Sequence, residues 1–315
     1  MTAAARSGPA PSRPARSEAA AALPDRIAFL GLGLIGGSIA LALREAGYEG
    51  TLAAWTPGGT GPAEALERSI IDEVADAPSR LVEDAGLVLL AGPPLTIVEH
   101  LGARAGWRSA LDEKATVTDV GSTKARILEA ADAAGLPFVG GHPMAGREST
   151  GVAAATGDLF VDRPWVVVPG AHARPHDVTT VEALATATGA RPRPMGADEH
   201  DAAVAAISHL PLVVAAALVE SVAGGGDAGG WAMARGLAAS GWRDATRLAR
   251  GDPEMGAGIL ATNAAAVATR LRAMRDTLDA WIEQLEGDPA GADPAGLRRR
   301  LEAARAALTG EGPGA

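Results

Sequence analysis

The chain has no cysteine among its 315 residues. That excludes a disulfide framework, a thiolate nucleophile and a Cys-ligated metal, so catalysis must use other groups and no metal is expected. The absence also suits a reducing cytoplasm. Lysine is nearly as scarce, with Lys114 and Lys124 the only two. There is no basic stripe, and a formal net charge of -10 repels polyanions, so nucleic acid is not an expected partner. No window reads as apolar enough to span a bilayer, because charges interrupt the Ala-rich stretches, and no membrane partner is expected.

What is present suffices for a large core: 47% of residues are hydrophobic, and the length fits two domains better than one. Residues 1–23 read as a disordered tail of Ala, Pro, Arg and Ser. An Arg-rich, acid-poor start also resembles an organelle transit peptide, but Pro9, Pro11 and Pro14 interrupt an amphipathic helix there. From Arg26 short aliphatic runs alternate with helical patterns, as in βαβ units. Strands are expected at 26–30, 51–55, 87–90, 115–118, 137–139, 165–168 and, more weakly, 191–195, with a crossover helix at 34–46 closed by Gly47. After 197 only helical patterns remain, at 201–222, 231–249, 253–285 and 295–308. The expected fold is therefore α/β: an N-terminal Rossmann-type parallel-sheet domain (24–196), then an all-α substrate and dimerisation domain (197–290) and a C-terminal helix and tail (291–315).

The segment RIAFLGLGLIGGSIALAL puts Gly31, Gly33 and Gly36 after a strand and at the start of a helix. That is the setting of a dinucleotide fingerprint. Gly31 permits the tight turn, Gly33 the approach of backbone to pyrophosphate and Gly36 close helix–strand packing, while the helix start at Leu34 and Ile35 supplies amide donors. The acid that usually binds the ribose at the end of the second strand is missing; Thr56 stands nearby and can donate to either nucleotide. NAD is the expected cofactor, with NADP left open.

Four more motifs follow in order: TDVGSTK (118–124), GGHPMAGRES (140–149), SHLP (208–211) and GWRDATRLA (241–249). With the glycine loop they resemble the prephenate/arogenate dehydrogenase family from about Arg26 to about Arg275. The resemblance implies an NAD(P)-dependent oxidative decarboxylation of a cyclohexadienyl substrate, prephenate or arogenate, on the route to tyrosine. It implies His142 as catalytic base, in a loop after the fifth strand, with Ser122 hydrogen-bonding the substrate hydroxyl or orienting the histidine. Ser122 has a second reading as the cap of the helix that carries Lys124 and Arg126, and His142 taken alone reads equally as a loop histidine that caps a backbone group. Arg243 matches the substrate-carboxylate arginine. Arg247, four residues on and so on the same helical face, His209 and Ser208 match further pocket positions. Leu212 departs from the pattern, since many prephenate-specific members carry a second histidine there, and its presence is compatible with arogenate. A homodimer through the helical part is expected.

Two rival readings meet specific residues that oppose them. A 3-hydroxyacid dehydrogenase would depend on a lysine in the helical part, where this chain has none. A dinucleotide-sensing module without catalysis would not need His142, Ser122 and Arg243 together.

Overall fold

The computed structural model describes residues 11–102, 106–147, 149–224, 228–287 and 293–309. Eight strands form one sheet: β1 (Arg26–Leu30), β2 (Thr51–Trp55), β3 (Glu73–Val74), β4 (Leu87–Leu90), β5 (Thr116–Asp119), β6 (Phe138–Pro143), β7 (Pro164–Pro169) and β8 (Arg191–Pro194). Their order is β3-β2-β1-β4-β5-β6-β7-β8, parallel throughout except for the antiparallel pair β6–β7. Strand β4, Leu-Val-Leu-Leu, is buried at every position, as a strand covered on both faces must be. One apolar cluster around Phe29, Ile39, Phe160 and Trp165 and another around Leu30, Leu90, Trp107 and Phe138 fill the two faces.

Helices α1 (Arg13–Ala21), α2 (Leu34–Glu45), α3 (Thr60–Glu67), α4 (Pro78–Val82), α5 (Pro94–Leu101), α6 (Ala125–Ala133) and α7 (Pro175–Ala187) accompany the sheet. Gly47, with φ +88°, follows α2 in the left-handed conformation expected beyond a helix end. Helix α1 corrects the expectation of a disordered tail for the residues from 11 onward; residues 1–10 lie outside the described part. Pro14 starts this helix instead of breaking it, because a proline in the first turn gives up an N–H that has no partner anyway. Arg16 then anchors it, donating to the carbonyls of Ala187 at 3.1 Å and Ala42 at 3.4 Å.

Among the described residues only helices and turns follow β8. The expected helix at 201–222 is α8 (Ala197–Val204), a π turn (Ala205–His209) and α9 (Leu210–Ala223) run together. Pro211 lacks an N–H and crowds the carbonyl four residues back, which accounts for the local widening. This continuous helix reaches a mean hydropathy of 2.2 and is long and apolar enough to cross a membrane by composition, contrary to the expectation that no window was. Its buried His200, Asp201 and His209 are instead bonded to protein groups. The expected helix at 231–249 breaks into α10 (Ala228–Gly236), α11 (Ser240–Ala245) and a 3-10 turn (Arg247–Arg250), so Arg243 and Arg247 do not share one helix. Gly236 and Gly241 weaken that stretch, and the Thr246 hydroxyl bonds back to Trp242 at 2.7 Å. The expected helix at 253–285 divides at Asn263 into α12 (Pro253–Thr262) and α13 (Ala264–Glu286), because the Asn263 side chain is engaged elsewhere.

The chain forms two compact units, Met1–Ala264 and Ala265–Ala315. The first unit thus extends beyond the strand-to-helix change at 196/197, since α8 and α12 hydrogen-bond to the turn after β5. In the second unit α13 is followed by α14 (Pro294–Thr309), where Arg300 lies 4.0 Å over the Trp281 ring and donates to Ala280 at 2.9 Å.

Candidate active site

The turn joining β1 to α2 is shaped by its glycines. A Cβ on Gly31, whose φ is +99°, would lie 2.3 Å from the carbonyl oxygen of Ala91 just beyond β4, so only glycine fits. A Cβ on Gly36 would meet the Gly31 carbonyl at 3.0 Å. Gly33 is the opposite case: nothing lies within 4 Å of a Cβ built there. It begins α2 with no capping side chain, leaving the first-turn amides of Leu34 and Ile35 for a ligand. A helix N-terminus beside open space, between β1 and β4 where the strand order reverses, fits a pyrophosphate. Thr56 follows β2, partly exposed, and no carboxylate accompanies it.

Beyond β5 the same end of the sheet carries the turn Val120–Lys124. Lys124 is wholly buried; its ammonium donates to Asp119 and, at 2.7 Å, to the carbonyl of Gly141. Burial pushes Lys124 down and Asp119 up, each restrained by the other's charge. Asp119 also accepts from the amides of Gly121 at 2.8 Å and Gly141 at 3.0 Å. Strand β6 passes so close that a Cβ on Gly141 would lie 2.5 Å from the Asp119 carbonyl. The next residue is His142.

His142 lies in β6 itself, not in a loop after it. The parallel pairing of β5 with β6 stops at Val139, but antiparallel β7 continues the ladder and pairs Val166 with His142. The ring keeps some exposed surface. Its Nδ1 is 2.8 Å from Nε2 of His200, whose Nδ1 is 2.8 Å from a carboxylate oxygen of Asp201. Burial, then the neighbouring His200, Lys124 and His209, holds His142 well below the ordinary histidine value of 6.5. It is therefore neutral across the physiological range.

Asp201 has a second task. Its two oxygens accept from the amides of Lys124 at 2.8 Å and Ala125 at 2.9 Å, capping α6 from a distant segment. Ser122 is thus not the cap of that helix, and its hydroxyl bonds to no described residue. Burial alone would raise the Asp201 carboxyl, but hydrogen bonds from His200 and the two amides hold it below the usual carboxylate range. The Thr123 hydroxyl, 2.9 Å from that of Thr262, ties the same turn to α12.

His209 closes the π turn, 1% exposed. Its Nδ1 lies 3.2 Å from the Asn263 amide nitrogen, and its Nε2 is buried with no hydrogen-bond partner among the described residues. Burial pushes it down to about 4, against the attraction of Asp201.

The structure thus gathers Gly31, Gly33, Gly36, Ser122 and His142 at one end of the sheet and joins His209 to them through Asn263 and Asp201. Ser208, Arg243 and Arg247, by contrast, are all exposed. Sequence reasoning missed His200, Asp201 and Asn263. The sequence offers little signal for the His200–Asp201 pair, because Asp198 and Glu199 beside it make the whole stretch look like an ordinary acidic first turn of a helix.

Comparison with known proteins identifies the lineage. Residues 39–193 match the family described as prephenate dehydrogenase, nucleotide-binding domain, and residues 196–299 match prephenate dehydrogenase, dimerization domain. The prephenate dehydrogenase of Bacillus subtilis is 34% identical over 271 residues, covering 84% of this chain and 69% of that protein. Among solved structures, arogenate dehydrogenase from Synechocystis is 33% identical with a TM-score of 0.72, over 88% of this chain and 96% of that one. Prephenate dehydrogenase from A. aeolicus, solved with hydroxyphenyl propionate and NAD+, is 25% identical with a TM-score of 0.79, over 90% and 98%. With the two family models matching residues 39–193 and 196–299 in order, the chain belongs to the prephenate dehydrogenase family.

Proposed function

We propose that this chain oxidises and decarboxylates prephenate to 4-hydroxyphenylpyruvate, with NAD as hydride acceptor, as a cytoplasmic step in tyrosine biosynthesis. The observation that carries the reading is His142: a histidine held neutral, with Nε2 bonded to no described residue, at the sheet end that also bears the open glycine turn. A neutral imidazole accepts the ring hydroxyl proton as the carbinol carbon becomes a carbonyl. NAD, held at the glycine turn by the first amides of α2, would supply the acceptor for the hydride leaving that carbon. Loss of the ring carboxylate as carbon dioxide then leaves an aromatic phenol, which makes the sequence irreversible. Ser122 hydrogen-bonds the substrate hydroxyl, His209 donates to a substrate oxygen, and Arg243 receives the side-chain carboxylate, with Ser208 and Arg247 contributing at the pocket rim.

A second reading, arogenate with NAD or NADP, is favoured by one observation: Leu212 leaves an apolar side chain where a further histidine would contact the ring carboxylate. Steady-state rates with the four pairs of prephenate or arogenate and NAD or NADP decide between them. Prephenate with NAD should give the highest kcat/KM, and a preference for arogenate would move the assignment. Activity with neither substrate would overturn both readings. In the same assay Arg243→Gln should raise KM roughly 30-fold or more at similar kcat, the signature of a lost carboxylate contact that persists through the reaction.

A further inference from the structure

We propose that Asp201 sets the tautomers of both site histidines in opposite senses: through His200 its carboxylate leaves His142 Nε2 a proton acceptor, and through Asn263 its backbone carbonyl leaves His209 Nε2 a proton donor. His200, Asp201 and Asn263 are positioning residues in this scheme. Its chemical meaning rests on the function proposed above, whereas the tautomers themselves do not.

The first arm follows from donor and acceptor bookkeeping. Asp201 is a carboxylate, so all its contacts are accepted: the amides of Lys124 and Ala125, and His200 Nδ1 at 2.8 Å. His200 therefore carries a proton on Nδ1, and in the neutral ring its Nε2 is a lone pair. Across 2.8 Å from that lone pair stands His142 Nδ1, which must supply the proton of the bond. A neutral His142 with hydrogen on Nδ1 has a lone pair on Nε2, the atom a hydroxyl proton can reach. Free histidine prefers the other tautomer, with the proton on Nε2, in which His142 would be no base at that atom. When Nε2 takes up the substrate proton, the resulting imidazolium keeps its Nδ1–H bond to His200, and the Asp201 charge stands one ring away.

The second arm starts from the same residue's main chain. A carbonyl oxygen only accepts, so the contact of 2.8 Å between Asn263 Nδ2 and the Asp201 carbonyl fixes which end of the Asn263 amide is the nitrogen. The other hydrogen of that nitrogen faces His209 Nδ1 at 3.2 Å, which accepts it. The proton of His209 is then on Nε2, and Nε2 is the buried atom with no partner among the described residues. A buried N–H is costly to leave unpaired, and an oxygen of the substrate is the partner it lacks. One aspartate, by way of one ring and one amide, makes two chemically identical side chains into an acceptor and a donor.

Protein labelled with 15N in histidine, with the ring signals of His142 and His209 assigned by His142→Asn and His209→Asn, tests this directly through two-bond proton–nitrogen correlations. The expected pattern is Nδ1–H for His142 and Nε2–H for His209. His200→Gln, which keeps an acceptor toward His142 and a donor toward Asp201, should preserve the His142 tautomer and most of kcat. His200→Leu should release it and lower kcat on the order of 10²-fold with KM little changed. Asn263→Leu should leave the His142 tautomer alone and raise KM roughly tenfold. A wild-type His142 protonated on Nε2, or a His200→Leu variant with wild-type kcat, would overturn the inference. The expected tautomers in a chain inactive toward both ring substrates would support it while overturning the proposed function.

Discussion

At His142 the local environment decides the pH at which the protein works. Burial first, and then His200, Lys124 and His209, lowers its affinity for a proton. The base form is the neutral one, so kcat should rise with pH through a group titrating well below 6.5 and be flat through neutrality. A free imidazole would put that limb near neutrality; the burial and the cationic neighbour that move it are not legible in the sequence. His142→Asn should lower kcat roughly 10²-fold or more and remove the acid limb, read from kcat–pH profiles of the two proteins. A retained limb would assign it to another group. The glycine turn offers a paired test at the same scale. Gly33→Val has room for its side chain, so the fold should persist while calorimetric titration finds nucleotide binding abolished. Gly31→Ala, forced against the Ala91 carbonyl at 2.3 Å and to a positive φ, should destabilise the protein itself. These glycines were legible in the sequence because their constraint is local, a turn between a strand and a helix. His200 was not, because its meaning comes from His142, 58 residues earlier.

Among elements, β1, β2, β4 and β5 could be read almost residue by residue, since each is a short, mostly buried run bounded by turn signals, whereas the two-residue parallel strand β3, exposed at both positions, was not legible. β6 was read too short because the pairing that prolongs it comes from β7, an antiparallel neighbour that a pattern of βαβ units does not announce. The helical breaks were missed for the same kind of reason: Asn263 and Thr246 are acceptable within a helix until their side chains find other partners. Asp201 shows how much one such partner can hold. It lies on α8, yet it caps α6 and orients His200, three charge-assisted contacts from a residue 5% exposed. Asp201→Ala leaves two amides and one ring nitrogen without an acceptor, and should cost on the order of 3 kcal/mol. Urea unfolding followed by far-UV circular dichroism measures this, and a loss below about 1 kcal/mol would mean that water replaces the carboxylate at the helix end.

For the molecule as a whole the unexplained quantity is apolar surface in the helical part of the first unit. Of the 14 residues of α9 only Ala215 is buried, although the helix is almost entirely aliphatic. Nearby in sequence Ile207, Met233 and Leu237 are 69%, 72% and 79% exposed. An apolar helix left this open invites a covering surface, and because residues 196–299 match a family model described as a dimerization domain, a second copy of the chain is the occupant to test. A stable two-fold contact needs about 800 Å² from each partner, and residues brought together with their own copies across an axis feel any added charge twice. Ile207→Glu combined with Leu237→Glu should therefore raise the dimer dissociation constant at least about 100-fold, because carboxylates would be desolvated against one another. Sedimentation velocity across a concentration series reads this directly. The wild-type chain should sediment as a dimer at micromolar concentration and the double variant as a monomer. A wild-type chain that remains monomeric, or a double variant that still dimerises with unchanged affinity, would place the contact on other residues and leave the exposure of α9 without this explanation.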